Sequence, residues 1–307
     1  VGKGNLYDNT VGIFSKDGVV SLLCKLDNDT NNSNELLLSS SISFDRGVSG
    51  GIRTNIFLDS SFVNIRGYRL NIDSSYASVA KREFSFRDFI IHNEGQSLTI
   101  DGTLSENPED SIHVYFDKFD ISLADAFLKK KIGIEGELTG NILATGIYGT
   151  PNILMDVNGS GIALKSRTVG NLHIMSKWDQ NRSRMNLLLQ NNNEGLNPLT
   201  LSGYYQPSGK FLNMNVALKE FGLSAIEPFL NGALINTGGV ISGDLVLMGT
   251  MNRLTLNSNN TRIHNFAFTP AYTNVPYVAS GDVTFDQSGI YFEALKVHDK
   301  FNNEATI

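Results

Sequence analysis

The stretch "GELTGNILATG", from Gly136 to Gly146, is matched later in the chain by "GVISGDLVLMG", from Gly239 to Gly249. Both place three glycines at the spacing G-x3-G-x5-G, and the six residues are Gly136, Gly140, Gly146, Gly239, Gly243 and Gly249. One copy carries little information, because the chain has 29 glycines in 307 residues. Two copies in matching surroundings predict an internal repeat, whose units bury their apolar faces against their neighbours.

Two short segments upstream of the glycines follow the same repeat. They are "DISLADAFLKKK" and "FGLSAIEPFLNG", in which a serine precedes an acid by three residues: Ser122 with Asp125, and Ser224 with Glu227. This spacing is that of a capping box at the start of a helical turn. The offset between the copies is 102 residues here and 103 at the glycines. We therefore predict two short helical turns, one repeat apart, laid against the same sheet.

The rest of the chain alternates apolar and polar residues in short runs, as in "SIHVYFDK", "KFLNMNVALK" and "GDLVLMG". Alternation with a period of two is typical of β-strands that have one apolar face. The sequence therefore predicts a nearly all-β protein of successive hairpins, and glycines within strands indicate a sheet that curves at fixed points. We expect the apolar parity to line a groove, with these candidates: Ile112, Val114, Phe116, Leu212, Met214, Val216, Leu245 and Leu247.

Composition argues against several functional classes. The net charge of −6 and the pI near 5.4 disfavour a nucleic-acid partner, since affinity for phosphates needs concentrated Lys and Arg. Cys24 is the one cysteine, so no intrachain disulfide and no cysteine-based metal cluster can form. "GVSGG", at Gly47 to Gly51, matches the esterase spacing G-x-S-x-G, but the strand-like sequence after it predicts a hairpin turn. We expect no catalytic residue, no metal site, no cofactor and no enzyme activity.

The boundaries of the chain suggest a piece of a longer protein. It begins with Val1 and shows no charged-then-apolar leader and no apolar run long enough for a membrane helix. We interpret residues 1–307 as one continuous, elongated β domain fragment. Within it we place repeats at about 119–220 and 221–307, preceded by a weaker β region at 1–118.

The repeated segments resemble a known family. "FDISLADAFL" with "GELTGNILATGIYGTPNILMDVNGSG", and "FGLSAIEPFL" with "GGVISGDLVLMGTMNRLTL", are similar to the paired motifs of TamB-like proteins, the AsmA-like, bridge-type lipid transfer group, in their Bacteroidetes-type form. The resemblance runs from about Glu83 to Ile307. It implies a long twisted antiparallel sheet folded into a trough, the β-taco, with an apolar interior and a place in the periplasm.

The resemblance also implies a function. Members of the family are anchored in the inner membrane, dock on an outer-membrane barrel assembly protein, and are proposed to transport phospholipids or to support outer-membrane protein assembly. We expect the groove of this fragment to shield phospholipid acyl chains, with membrane anchor and barrel docking in regions outside it. The alternatives are a filled β-solenoid or adhesin-like segment that holds no ligand, and, less favoured, a polysaccharide-cleaving enzyme on a β-scaffold.

Overall fold

The computed structural model is all-β, and its strands form one large antiparallel sheet. This confirms the predicted class. The structure describes residues 7–27, 34–46, 50–65, 68–123, 133–191, 199–258, 260–301 and 303–306. The strands are β1 (Tyr7–Lys16), β2 (Val19–Asp27), β3 (Asn34–Arg46), β4 (Ile52–Leu58), β5 (Ser61–Ile65), β6 (Tyr68–Ile72), β7 (Ser75–Ala80), β8 (Glu83–Asn93), β9 (Gln96–Leu104), β10 (Ser111–Asp120), β11 (Ile134–Thr145), β12 (Asn152–Leu164), β13 (Arg167–Asp179), β14 (Arg184–Asn191), β15 (Leu199–Gln206), β16 (Phe211–Gly222), β17 (Leu234–Ile235), β18 (Val240–Thr250), β19 (Arg253–Ser258), β20 (Thr261–Pro270), β21 (Tyr277–Phe285), β22 (Ile290–Asp299) and β23 (Glu304–Thr306).

The chain divides into two compact units. The first unit comprises Val1–Phe119 and Thr139–Ile153, and the second comprises Asp120–Leu138 and Leu154–Ile307. The predicted single domain with repeats at 119–220 and 221–307 therefore stays a prediction, although one unit boundary falls beside the predicted start of the first repeat.

In the first unit, most strands pair antiparallel with their sequence neighbours, from β1–β2 through β8–β9 and β9–β10. The order is interrupted between β3 and β8. There β3 pairs with both β4 and β5, while β4 pairs with β7 and β6 pairs with β8. The first part of β3 thus pairs with β5 and its later part with β4, and the two branches β5–β6 and β4–β7 both end on β8.

The second unit has a similar succession. Antiparallel pairs run from β12–β13 through β15–β16. The next pair joins β16 to β18, and the short strand β17 between them in sequence pairs with β20 instead. Strand β18 pairs with both β19 and β20, and the series continues through β21 and β22 to β23. Each connection is local, so the register of one strand fixes that of the next.

Short 3-10 turns lie at both predicted helical positions. Ser122 lies in the turn Ile121–Leu123 and Ser224 in the turn Leu223–Phe229; a third turn is Pro207–Gly209. The capping box predicted at Ser224 is wrong. The N-cap of that turn is Gly222, whose position has no side-chain capping hydrogen bond, and Glu227 is instead held by partners distant in sequence. Asp125, the acid of the first predicted box, lies outside the described residues.

Bulges interrupt the strands at related positions, and the sequence did not predict them. Glu220 has φ of 53° where the β16–β18 register shifts, and its N–H donates to Ser242 Oγ over 2.8 Å. Lys118, 102 residues earlier, has φ of 48° and donates to Thr139 Oγ1 over 3.1 Å. Asn265 repeats the arrangement with Ser280 Oγ at 2.9 Å. In each case the hydroxyl residue directly precedes a glycine.

That position accounts for the middle glycine of each predicted copy, Gly140 and Gly243. All six repeat glycines have positive φ, between 59° and 139°. A Cβ on Gly243 would lie 2.5 Å from Asn260 O and 2.7 Å from the Cα of Thr261, so only glycine allows the next strand to approach this closely. A bulge bends its strand and increases the local twist. The bulge, hydroxyl and glycine therefore act together as a bending device.

Candidate functional site

The apolar residues of the second unit share one face of the sheet. Val216 in β16 lies opposite Leu201 in β15 and Leu245 in β18, and Met214 lies opposite Leu247. Directly opposed residues of antiparallel strands project to the same face. The sequence-predicted candidates of this unit, which are Leu212, Met214, Val216, Leu245 and Leu247, therefore lie on one face. Leu212 faces Gly249, a repeat glycine, at the end of that row.

The remaining candidates share one face of the first unit. Ile112, Val114 and Phe116 in β10 lie opposite Gly102, Ile100 and Leu98 in β9. Beyond β9, Ile100 lies opposite Phe89 and Leu98 opposite Ile91 in β8. Each unit thus has a continuous apolar face that crosses several strands.

An apolar cavity lies on this face of the second unit. Two of the predicted residues, Val216 and Leu245, line it, and its volume is about 460 Å³. Every lining residue is Leu, Ile, Val or Phe, so the walls offer no polar side-chain atom. The lining residues are Leu199, Val216, Leu218, Phe221, Leu223, Ile226, Leu230, Leu234, Ile241, Leu245, Leu256, Ile263, Phe266, Val283, Phe285, Ile290 and Phe292.

Residues 223–234, which we name the cap segment, cover part of this face. Leu223, Ile226, Leu230 and Leu234 project from it into the cavity. Leu223 also belongs to a buried cluster with sheet residues that include Ile241, Ile263, Ala279, Val283 and Leu295. The cavity is therefore bounded by the sheet on one side and by the cap segment on another.

Glu227 fastens the cap segment through its carboxylate. One oxygen accepts hydrogen bonds from Thr237 N–H at 2.7 Å and Thr237 Oγ1 at 2.8 Å, and the other pairs with the Arg167 guanidinium of β13. Lys165 Nζ donates to Pro228 O at 3.0 Å. The hydrogen bond from Thr237 N–H holds the pKa of the Glu227 carboxyl below its ordinary value; burial opposes this effect, whereas the Thr237 hydroxyl and Arg167 reinforce it. The carboxylate is thus bound in its charged form.

One side of the cavity opens to solvent. Leu256, Ile290 and Phe292 line it and are exposed, whereas Leu245, Ile263 and Val283 at its base are buried. A ligand entering between the exposed residues would meet only hydrocarbon as it approached the base.

The sequence predicted the sheet contribution to this site and a short helical turn at Ser224 laid against the sheet, but not that side chains of this segment line the cavity. Leu223, Ile226, Leu230 and Leu234 are spaced by three or four residues, which is the period of a helical face. That spacing was the available signal for their common orientation. The sheet residues Ile263, Val283 and Phe285 were also missed, although they alternate as the predicted candidates do.

Within the described ranges, no three His, Cys, Asp or Glu side chains are arranged to hold a metal ion. His92 pairs with Asp73 at 3.0 Å and His173 with Asp156 at 2.8 Å. Ser49, from the esterase-like spacing, lies outside the described residues.

Comparison with family models, with curated proteins and with solved structures found no match to this chain. In the part of the chain that the structure describes, none of the helices has the length and hydrophobicity of a membrane-spanning segment.

Proposed function

We propose that this chain is a periplasmic segment of a TamB-like envelope protein, and that its apolar face binds phospholipid acyl chains during transfer between the inner and outer membranes or during outer-membrane protein assembly. The action is non-enzymatic shielding in a trough. Membrane anchoring and contact with an outer-membrane barrel assembly protein would belong to other regions. The all-hydrocarbon wall of the cavity is the observation that carries the proposal.

The apolar walls of the cavity support an occupant. The cavity of about 460 Å³ opens to solvent on one side, so without a ligand its apolar walls would be in contact with water. Water would gain no hydrogen bond from walls of Leu, Ile, Val and Phe. Each CH2 group of an acyl chain would gain about 0.8 kcal/mol on burial. Hydrocarbon is therefore the ligand that these walls favour most.

Peptides and sugars fit the walls poorly. A peptide group moved from water to a site without hydrogen-bonding partners loses roughly 2–7 kcal/mol. A sugar would lose several such interactions at once. The chemistry of the cavity therefore selects a chain of CH2 groups, with any polar headgroup left outside.

The second candidate is a filled β-solenoid or adhesin-like structural segment without a ligand. The buried cluster around Ile263 and Leu223 favours it, because there the sheet and the cap segment pack directly. The two candidates differ in whether the half-buried Val216 faces exchangeable ligand or a permanent core.

Val216→Asp tests this difference, and Asn215→Asp is the matched control. Asn215 is the next residue and is exposed, so it places the same charge on the opposite face. If the cavity binds acyl chains, Val216→Asp lowers dodecanol affinity at least tenfold and costs only about 1–2 kcal/mol of stability, because the open mouth lets the carboxylate hydrate. Asn215→Asp leaves both unchanged. Calorimetric titration and chemical denaturation on the same preparations measure the two effects.

Two outcomes would count against acyl-chain binding. A loss of several kcal/mol in Val216→Asp would mean that the residue belongs to a sealed core. Unchanged affinity in a stable Val216→Asp protein would exclude this strand from the site. Lipid extraction and mass spectrometry of the purified wild-type protein identify which acyl chains copurify.

A further inference from the structure

A second pocket adjoins the apolar cavity and differs from it in chemistry. Its volume is about 380 Å³, and it lies where the turn between β12 and β13 meets the cap segment. Lys165, Arg167 and Glu227 supply its charged groups. Leu234 lines both this pocket and the apolar cavity, so one side chain lies between them.

We infer that this pocket binds the anionic headgroup, a phosphate or carboxylate, of a lipid whose acyl chain lies in the apolar cavity. The inference rests on the proposed function, because it assigns the headgroup of the same ligand. It adds a preference for negatively charged, amphipathic lipids to a cavity that by itself selects only hydrocarbon.

Lys165 and Arg167 both retain N–H donors that a ligand could use. The ammonium of Lys165 has three N–H donors, and its contact with Pro228 O uses one of them. The guanidinium of Arg167 has five, and its contact with Glu227 is made through one nitrogen. Both side chains are solvent-accessible rather than enclosed by their partners. Both residues line the pocket, which is large enough for a phosphate, so their remaining donors are available to a ligand there.

Local charge favours an anion despite the acidic chain. Two cations and one carboxylate give this pocket a net charge of +1, in a protein whose net charge is −6. Long-range electrostatics therefore oppose anion binding, and any preference for a charged lipid has to come from local contacts. Charge-assisted hydrogen bonds from Lys and Arg to phosphate are about twice as strong as neutral ones.

Glu227 limits this affinity. Its carboxylate competes with a ligand for Arg167, but Thr237 holds one of its oxygens independently of Arg167. Glu227→Gln keeps an oxygen that can accept from Thr237 and removes the negative charge. An anion site predicts that this variant binds an anionic ligand more tightly, whereas a purely structural role for Glu227 predicts weaker binding.

The test compares dodecyl phosphate, dodecanol and inorganic phosphate by calorimetric titration. Wild-type protein, Lys165→Gln, Glu227→Gln and the control Arg182→Gln are used, with the melting temperature of each variant as a check of folding. Arg182 is an exposed cation in the same unit, and its ion pair is with Asp179. We expect the wild type to bind dodecyl phosphate about tenfold more tightly than dodecanol, a ratio equal to about 1.4 kcal/mol.

The variants should change this ratio in opposite directions. Lys165→Gln reduces the preference for dodecyl phosphate to about twofold, Glu227→Gln increases it several-fold, and Arg182→Gln leaves it unchanged. Inorganic phosphate binds at least a hundredfold more weakly than dodecyl phosphate, because it lacks the chain.

Each contrary result has a distinct meaning. Equal affinity of the wild type for dodecyl phosphate and dodecanol overturns the headgroup site and leaves acyl-chain binding intact. Inorganic phosphate binding as tightly as dodecyl phosphate overturns the inference in favour of a free-anion site. If Arg182→Gln lowers the preference for dodecyl phosphate as much as Lys165→Gln does, the preference comes from general surface charge, and this result also overturns the headgroup site. Failure of dodecanol to bind contradicts the proposed function itself.

Discussion

The apolar faces of the two units are built alike but covered differently. In both, cross-strand register keeps apolar residues on one face over many strands. In the second unit that face holds a buried cluster, in which Ile263 is 5% exposed. In the first unit the apolar face is buried in part, with Leu70 2% exposed, but large apolar residues of β1 remain open, and Ile13 is 67% exposed. Alternation in a strand predicts which face is apolar, but a covering element is what turns that face into a core.

Within the described residues, the cap segment is the element that covers the apolar face of the second unit. It supplies Leu223 to the buried cluster and four leucine or isoleucine side chains to the cavity. The stretch of the chain that matches its later part by the repeat offset, residues 124–132, lies outside the described residues. The comparison therefore concerns a face that the cap segment covers in the second unit and a face that stays open at β1 in the first unit.

The largest expected effect tests what the two units share, which is a glycine that follows the acceptor of a bulge hydrogen bond. In the first unit Asp88, with φ of 54° at the β8–β9 register shift, donates from its N–H to Asp101 Oδ2, and Asp101 directly precedes Gly102.

A Cβ on Gly243 would overlap Asn260 O, and one on Gly102, where φ is 112°, would lie 3.1 Å from the Cα of Ile112 and overlap Ser111 O. We expect Gly243→Ala and Gly102→Ala each to cost about 4 kcal/mol, from backbone strain and displaced strands.

The control is Gly289→Ala, because nothing lies within 4 Å of a Cβ at Gly289. Denaturation followed by the fluorescence of Trp178, the one tryptophan, reports on the second unit. Hydrogen exchange of peptides from β9 and β10 reports on the first. If Gly102→Ala lowers stability as little as the control Gly289→Ala does, the close approach at the glycine is important for stability in the second unit alone.

The next prediction tests how the two units differ, which is in how far their apolar faces are covered. Ile263→Ala removes buried methyl and methylene groups next to an existing cavity, and we expect it to cost about 3 kcal/mol. Ile13→Ala removes the same atoms from an exposed position and should cost under about 0.5 kcal/mol. Chemical denaturation measures the first effect and hydrogen exchange in β1 and β2 the second. A cost above about 2 kcal/mol for Ile13→Ala would show that the open face is covered in solution.

Sequence reasoning predicted the shared features better than the distinguishing one. The parity of Val114 and Val216 follows from local alternation, because successive strand residues point to opposite faces. The bulge at Glu220 could not be predicted, since one extra residue changes register without changing composition. Nor could the partners of Glu227 be predicted, because Arg167 and Thr237 meet it only after the strands are placed. Local patterns therefore predicted the apolar faces and the turn at Ser224, whereas the contacts that fasten the cap segment and enclose the cavity depend on residues distant in sequence.

Acid should loosen the covered face selectively, because Glu227 fastens the cap segment. Its pKa is lowered below the usual 4.5, chiefly by the Thr237 N–H bond. The folded protein thus binds this proton more weakly than the unfolded chain does. The resulting stabilisation is present above about pH 4.5 and is lost as pH falls through the folded-state pKa.

Glu227→Gln isolates this contribution, since the other carboxylates titrate equally in both proteins. Hydrogen bonds to charged groups suggest that the variant is less stable by about 2 kcal/mol at pH 7. The difference should shrink as the pH is lowered below 4.5 and approach zero once Glu227 is protonated in the folded protein. Melting curves of both proteins between pH 7 and pH 2.5 measure it. A difference that does not change with pH would mean that packing, rather than charge, holds the cap segment.

The smallest effect has the opposite sign and returns to the device common to both units. Glu220 and Lys118 adopt φ of 53° and 48°, a conformation that costs a non-glycine residue about 1–2 kcal/mol. Glycine removes this strain but loses about 0.5–1 kcal/mol of chain entropy on folding. Glu220→Gly and Lys118→Gly should therefore each stabilise the protein by about 0.5 kcal/mol, whereas Glu220→Val should destabilise it, because a β-branched side chain tolerates positive φ poorly. Denaturation midpoints rank the Glu220 variants, and hydrogen exchange in β10 follows Lys118→Gly. If glycine destabilises at one site and stabilises at the other, the two bulges are not equivalent, and the repeat offset of 102 residues would reflect sequence without a common mechanical role.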